Sequence, residues 1–200
     1  MAKDTQQRKE RIIQAAIQTI QAHGVENASM RNVAEQAGLT TGAIYYHYKS
    51  KEELMFDVLN QSLHFSNRLA DADIMQREAP EQVLEGIKQE VANRFRKQEE
   101  QVIHIQLMSE ALSKDGTFRE KNRANYTAII SQTADYFYKA YGIENEEQKK
   151  SVASFLIAAM DGIAIQQGLD VLPENLEETI SRFNAFFGEA IGAYLKNTQS

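Results

Sequence analysis

Two hundred residues, 42% of them hydrophobic, suffice for one small unit and one larger helical core, and argue against more than two domains. The chain has no cysteine, which excludes disulfide frameworks, thiolate metal sites, cysteine nucleophiles and thiol-based redox sensing. A net charge of −6 argues against nucleic acid as a partner until the chain is cut after Lys51: residues 1–51 hold seven Lys/Arg against four Asp/Glu, a net +3, and residues 52–200 fifteen against twenty-four, a net −9.

The polar N-terminus MAKDTQQRKERIIQ contains no apolar run of the kind a signal peptide needs, so the expected location is cytoplasmic. Helical periodicity starts near residue 4 and continues almost throughout. The two prolines, Pro80 and Pro173, each precede a segment that reads as a helix start. The predicted helices are 4–23, 29–36, 40–47, 51–74, 80–98, 100–113, 117–141, 146–168 and 174–196, an all-α fold with no alternating run that would make a strand and no internal repeat. HGVENAS and AGLTT supply glycine-containing turns after the first and second helices. The fourth helix opens on SKEE, where Ser50 can cap exposed amides while Glu53 reaches back, a capping box. It links head to body, with the softest boundary in the polar stretch DADIMQREAP before Pro80.

The informative segment is ASMRNVAEQAGLTTGAIYYHYKSKEEL, residues 28–54. Met30, Val33, Ala34 and Ala37 give the second helix an apolar face. Gly38 permits the turn, Leu39 plugs beneath it, and Ile44 packs the third helix on the same core. Ile12, Ile13, Ala16, Ile17 and Ile20 are the first helix's share. The third helix then exposes Thr40, Thr41, Gly42, Ala43, Tyr45, Tyr46 and His47, small residues first and hydrogen-bonding aromatics after. A helix that reads DNA must bring its N-terminal end close to base edges, and small side chains there permit that approach in the major groove. The small basic excess of the head becomes a footprint only through this placement. Tyr45 reads as a groove contact or as core packing, His47 as a phosphate contact or as a cation at the helix end, and Tyr48 as core. Arg8, Lys9 and Arg11 belong either to a flanking contact or to a solvated face.

NVAEQAG, TTGAIYYHY, YYHY and KEEL together resemble the tetracycline-repressor (TetR) family pattern of a V/I-A-x-x-A-G turn, a small-residue helix start, an aromatic cluster and K-x-x-L, over about residues 8–60. QLMSEAL and LIAAMDGIAIQ are similar, more weakly, to the subclass that includes choline-responsive repressors. The resemblance implies a sequence-specific regulator, a repressor released from double-stranded operator DNA by a small-molecule effector. It implies a DNA-binding domain over 1–50 and a ligand-binding and dimerisation domain over 51–200, with helix 51–74 as the lever. Carried over by position, Arg31, Thr41, Gly42, Ala43 and Tyr45 face bases, while Thr40, Tyr46, His47, Lys49 and Lys51 meet phosphates. Phosphate contacts position a protein and base contacts specify its site.

In the body, VASFLIAAMDGIAIQ is apolar nearly all round, hence buried on more than one side, and is too short and interrupted to span a membrane. The last helix has a stripe of Leu176, Ile180, Phe183, Phe187, Ile191 and Tyr194, with Phe186, Ala190 and Ala193 beside it. In the family the last two helices build a four-helix bundle with a second subunit. That use makes Ala158, Ala159, Gly162, Phe183, Phe187 and Tyr194 the expected homodimer surface, the alternative being an ordinary monomer core. Expected pocket residues are His104, Met108, Phe118, Arg123, Tyr126, Ile130, Phe137 and Phe155, most of which plain packing also explains. Asp161 and Gln166 join them or make a hydrogen bond across the subunits, because a polar group in an apolar helix needs a partner; Asp161 could instead lie at the solvent edge.

An enzyme needs a cluster. The chain has no HExxH, no GxSxG and no glycine-rich phosphate loop, and its four histidines are scattered without ligand spacing. No catalysis, metal, cofactor or membrane is expected. The other reading is an all-α interaction or ligand-binding module without operator binding, whose mark would be the loss of phosphate-facing residues.

Overall fold

The computed structural model describes residues 2–62, 79–113, 115–173 and 175–198. Among these, nine helices and no strand are found: α1 Ala2–Asn27, α2 Met30–Ala37, α3 Thr41–His47, α4 Lys51–Ser62, α5 Pro80–Arg96, α6 Gln98–Ser113, α7 Thr117–Tyr141, α8 Glu146–Gly168 and α9 Leu176–Thr198. The all-α expectation holds, and the predicted boundaries fall within a few residues of these. α1 kinks at Gly24, whose φ of 79° and ψ of 163° lie outside the helical region, close to its predicted end at residue 23. The predicted fourth helix is helical to Ser62, and its continuation to residue 74 lies outside the described residues, as does most of the DADIMQREAP stretch. Among the described residues no helix is long and apolar enough to cross a membrane.

Packing divides the chain into two compact units, residues 1–63 with 103–123 and residues 64–102 with 124–200. This division keeps α4 with the head, because α4 packs on α1; the boundary expected after residue 50 follows the chemistry of the reading motif instead.

In the first unit α1 packs on α2 and α4, and α2 on α3. Ile12, Ala16 and Ile20 of α1, Val33 and Ala34 of α2, Ile44 of α3, and Leu54, Val58 and Leu59 of α4 are all buried. Ala15 is buried while Ile13 and Ile17 are half-buried. Local chemistry sets the ends. Ser29 Oγ accepts the Asn32 N–H at 3.2 Å to start α2. Gly38, at φ 61° and ψ 37°, ends it in the left-handed conformation that glycine adopts without strain.

The second unit centres on Val83, Ile87, Val91 and Phe95 of α5, Ala134 and Phe137 of α7, Val152, Leu156 and Met160 of α8, and Ile180, Phe183 and Ile191 of α9. The Phe95 and Phe183 rings meet edge to face at 5.1 Å, and Phe183 stacks on Phe187 at 4.5 Å. Asn184 Nδ2 donates to the Lys88 carbonyl at 3.2 Å, tying α9 to α5. Side-chain acceptors start the helices here too: Gln82 Oε1 accepts the Ala79 N–H at 2.9 Å ahead of α5, and Asn145 Oδ1 accepts the Gln148 N–H at 2.9 Å at α8.

Phe95 is fully buried, so Phe95→Ala removes transfer energy and leaves a cavity, an expected loss of about 3–5 kcal/mol in denaturant unfolding. Leu112→Ala, at an exposed position, should stay within about 0.5 kcal/mol of the parent in the same measurement.

Candidate nucleic-acid interface

Seven residues of helix cannot hold themselves in water, so α3 is placed by what it buries and by its ends. Ile44 is fully buried against α2, and Tyr48, immediately after the helix, is 1% exposed. At the other end Thr40 Oγ1 accepts the Ala43 N–H at 3.2 Å, and the Leu39 N–H donates to the Ala34 carbonyl at 2.9 Å. With the inner face committed, the outer face carries Thr40, Gly42, Tyr45 and Tyr46, all exposed, with Thr41, Ala43 and His47 half-buried beside them. Arg31 is exposed on α2.

Tyr45 is 47% exposed and Tyr46 77%, so neither is a core residue, whereas Tyr48 is one, as its position suggests. His47 sits in the last turn of α3 with the Tyr46 ring edge-on at 5.1 Å. Gly42 has helical neighbours and no unusual backbone angle, and a Cβ built on it meets nothing nearer than Thr40 Oγ1 at 3.9 Å. The fold therefore does not require glycine at this position. Gly38 is the opposite case, combining a positive φ with an added Cβ only 3.0 Å from Arg11 Nη2.

The α3–α4 junction differs from a simple row of phosphate anchors. Ser50 Oγ accepts the Glu53 N–H at 3.2 Å, as a capping box requires. Glu53 Oε2, however, reaches one residue farther back than expected, to the Lys49 N–H at 2.7 Å. Lys49 is exposed. Lys51 is half-buried, and its Nζ donates to the Val25 carbonyl at 2.6 Å and the Glu26 carbonyl at 3.2 Å. Two of its three protons thus hold the end of α1 to the start of α4. Residue spacing carries no sign of this bond, because its partners lie 26 and 25 positions away.

The residues expected to line a ligand pocket fall in both units. His104, Met108, Phe118 and Arg123 belong to the first unit, and Tyr126, Ile130, Phe137, Phe155, Asp161 and Gln166 to the second. Arg123 is exposed and paired with Glu120 at 2.8 Å. Phe118 borders an open groove of about 550 Å³ with Ser50, Glu52, Glu53, Glu110 and Arg119. His104 is buried, and Met108 and Ile130 are half-buried. Phe137 is core, 6.0 Å from the Tyr141 ring. Phe155 and Gln166 point outward, Phe155 at 68% exposure.

Two of the set do meet. Asp161 Oδ2 accepts the Tyr126 hydroxyl at 3.0 Å, and Asp161 Oδ1 pairs with Arg94 Nη2. The Arg94 guanidinium is buried, its Nε donating to Gln101 Oε1 at 3.2 Å while Gln101 Nε2 donates back to the Arg94 carbonyl at 2.8 Å. Burial first and the Asp161 charge second raise the Tyr126 hydroxyl well above the usual tyrosine range, keeping it a donor. Asp161 needs a partner, as its place in an apolar helix implies. Sequence reading missed Arg94 and Gln101, which look like ordinary members of the polar face of α5 and the start of α6.

On α8 the outward line is Phe155, Ala158, Gly162 and Ile165, continued by Leu169 just beyond the helix, all exposed or half-buried. On α9 it is Phe186, Ala190, Ala193 and Tyr194. Phe183, expected on a dimer surface, is turned into the unit's own core against Phe95. Phe187 and Ala159 lie at the edge of that core. α9 carries apolar side chains around so wide an arc that its period alone does not separate the inner face from the outer.

Residues 12–58 match the family described as Bacterial regulatory proteins, tetR family. Over 63 residues the chain is 36% identical to the HTH-type transcriptional regulator SrpR of Pseudomonas putida, a stretch covering 32% of this chain and 30% of that protein. The chain thus matches less than a third of that relative's length. It is 24% identical over 173 residues to the HTH-type transcriptional regulator PksA of Bacillus subtilis (strain 168), covering 86% and 84% of the two chains. Among solved structures it resembles the fatty acid degradation regulator FadR from Bacillus halodurans, with a TM-score of 0.66, 16% identity and coverage of 90% and 94%.

Gly42→Ala should leave the fold intact, raising helix stability by up to about 1 kcal/mol through propensity, while lowering affinity for DNA because the methyl group lies on the outer face. Thermal melting and DNA-binding titration on the same sample check both halves.

Proposed function

Because the chain belongs to the TetR family of DNA-binding bacterial regulators, we propose that it acts in the cytoplasm as a homodimeric repressor that leaves its operator when a small molecule binds the body. The carrying observation is the outer face of α3. It is built of small residues and exposed tyrosines, and it has a glycine at position 42 that the protein's own packing does not require. Close docking in a major groove supplies the missing reason. Arg31, Thr41, Gly42, Ala43 and Tyr45 read bases; Thr40, Tyr46, His47 and Lys49 hold phosphates, and Lys51 offers its third proton to the same strand. The function is binding rather than catalysis. The alternative of an interaction module without operator binding is disfavoured by the same face, which keeps its exposed tyrosines and lysine.

Two heads must meet successive major grooves about 34–36 Å apart, which calls for a second copy. The outward line at 155, 158, 162, 165 and 169 alternates steps of three and four, the spacing at which two helices pack with a left-handed crossing. Ala158 and Gly162 allow close approach, and an added Cβ at Gly162 meets nothing within 4 Å of its own chain. Phe186, Ala190 and Tyr194 extend the surface onto α9. For the effector, Tyr126 and Asp161 with Arg94 form the polar anchor in the second unit. An effector weakens operator binding only as far as it prefers the state that does not bind.

The roles separate by salt and by sequence, using DNA that the protein selects from a random pool. Lys49→Ala should weaken binding to selected and random DNA alike and reduce the log–log salt slope by about 0.9. Arg31→Ala should cost about 1–3 kcal/mol of preference for the selected site. Equal losses on both DNAs in both variants would overturn the division between reading and anchoring. By sedimentation, the parent should be a dimer at micromolar concentration without DNA and Phe155→Glu a folded monomer; a monomeric parent would remove the α8–α9 surface from the proposal.

A further inference from the structure

Core packing accounts for the Tyr48 ring but not for its hydroxyl. The ring is 1% exposed, and a phenylalanine would fill the same space without having to satisfy a buried O–H, which is costly when left unpaired. The hydroxyl is satisfied at a distance: it donates to Asp57 Oδ2 at 3.1 Å, on the second turn of α4. On its other side the Lys9 ammonium of α1 stands 5.4 Å from the ring centre. Tyr48 is thus the residue at which the end of the reading helix touches both α1 and α4. Lys51, three positions on, makes the second tie through the Val25 and Glu26 carbonyls.

We infer that the Tyr48–Asp57 bond is a positioning bond that sets the angle of α3 against α4 and so aims the exposed Gly42 and Tyr45 with the half-buried Thr41 beside them; the inference rests on the reading that this face meets DNA. The N-terminal end of α3 is pinned by the Gly38 turn and the Thr40 cap, and its middle by Ile44. Its C-terminal end follows Tyr48. A hydrogen bond to a carboxylate is stronger than a neutral one, and α4 cannot tilt without either breaking it or carrying the end of α3 along. Tyr48 touches no DNA in this arrangement. It acts through the side chains that do, and α4 movements reach the groove-facing residues through its hydroxyl.

Tyr48→Phe keeps the ring, the packing and the Lys9 contact, and removes only the bond. The expected result is a roughly tenfold loss of affinity for DNA selected by the parent protein from a random pool, with affinity for a random duplex and the salt slope unchanged because no phosphate contact is lost. Hydrogen exchange of the α3 and α4 amides should rise. Asp57→Ala should reproduce the loss, the double variant should be no worse than either single one, and Asp57→Asn, which retains an acceptor oxygen, should restore most of the affinity. Thermal melting of each variant establishes that it is folded.

A folded Tyr48→Phe protein that discriminates as well as the parent overturns the positioning role, as does an equal loss on selected and random DNA. A parent protein that selects no DNA at all overturns the reading of α3 itself, and the positioning role with it.

Discussion

A helix of seven residues such as α3 has too few internal hydrogen bonds to persist alone, and it depends on the head's core for its place. Ile44 and Tyr48 are the parts of α3 and its end that disappear into that core. Every other side chain of the helix is thereby assigned a direction. The core residues of α1, α2 and α4 do more than stabilise a small unit, since they set the plane in which Gly42 and Tyr45 face outward. A loosely packed head would retain the same residues and lose their common direction.

The same dependence explains how closely the junction after α3 is tied. Ser50, Glu53, Lys49, Lys51 and Asp57 contribute bonds within a single turn or two of α4. Surface ion pairs are worth little, but these are hydrogen bonds of a capped helix start and of a half-buried ammonium and carboxylate, which leave donors or acceptors unsatisfied when broken. Lys51 shows how one side chain can serve the fold and still keep a proton to offer.

In the second unit one buried charge is met by the Arg94–Asp161 pair. The Arg94 guanidinium is buried and Asp161 half-buried, so removing the carboxylate strands the buried charge, at a cost below the roughly 3–5 kcal/mol of a fully buried pair, while replacing both with apolar groups can be neutral. Such a pair is weak evidence for stability alone. Its value in this unit is directional: with Tyr126 and Gln101 it gathers side chains of four helices around one carboxylate and one guanidinium. The outward lines on α8 and α9 are the complementary case, where the exposure of Phe155 and Phe186 is a cost unless another surface covers them.

The helices, their order, the turn glycines and the residue types of the reading motif are legible from the amino-acid sequence, because period, caps and turn chemistry act over a few residues. The burial of Ile44 and Tyr48 and the exposure of Thr40, Gly42 and Tyr46 follow from the same local logic. Other assignments required the tertiary structure. Arg94 meets Asp161 across 67 positions and Lys51 meets Val25 across 26, and no local pattern marks either partner. Phe155 faces outward and Phe183 inward because helical period defines a face without naming its neighbour, and on a helix apolar over a wide arc two faces compete. Which of them is buried is decided by the aromatic and aliphatic side chains that the other helices bring, Phe95 foremost.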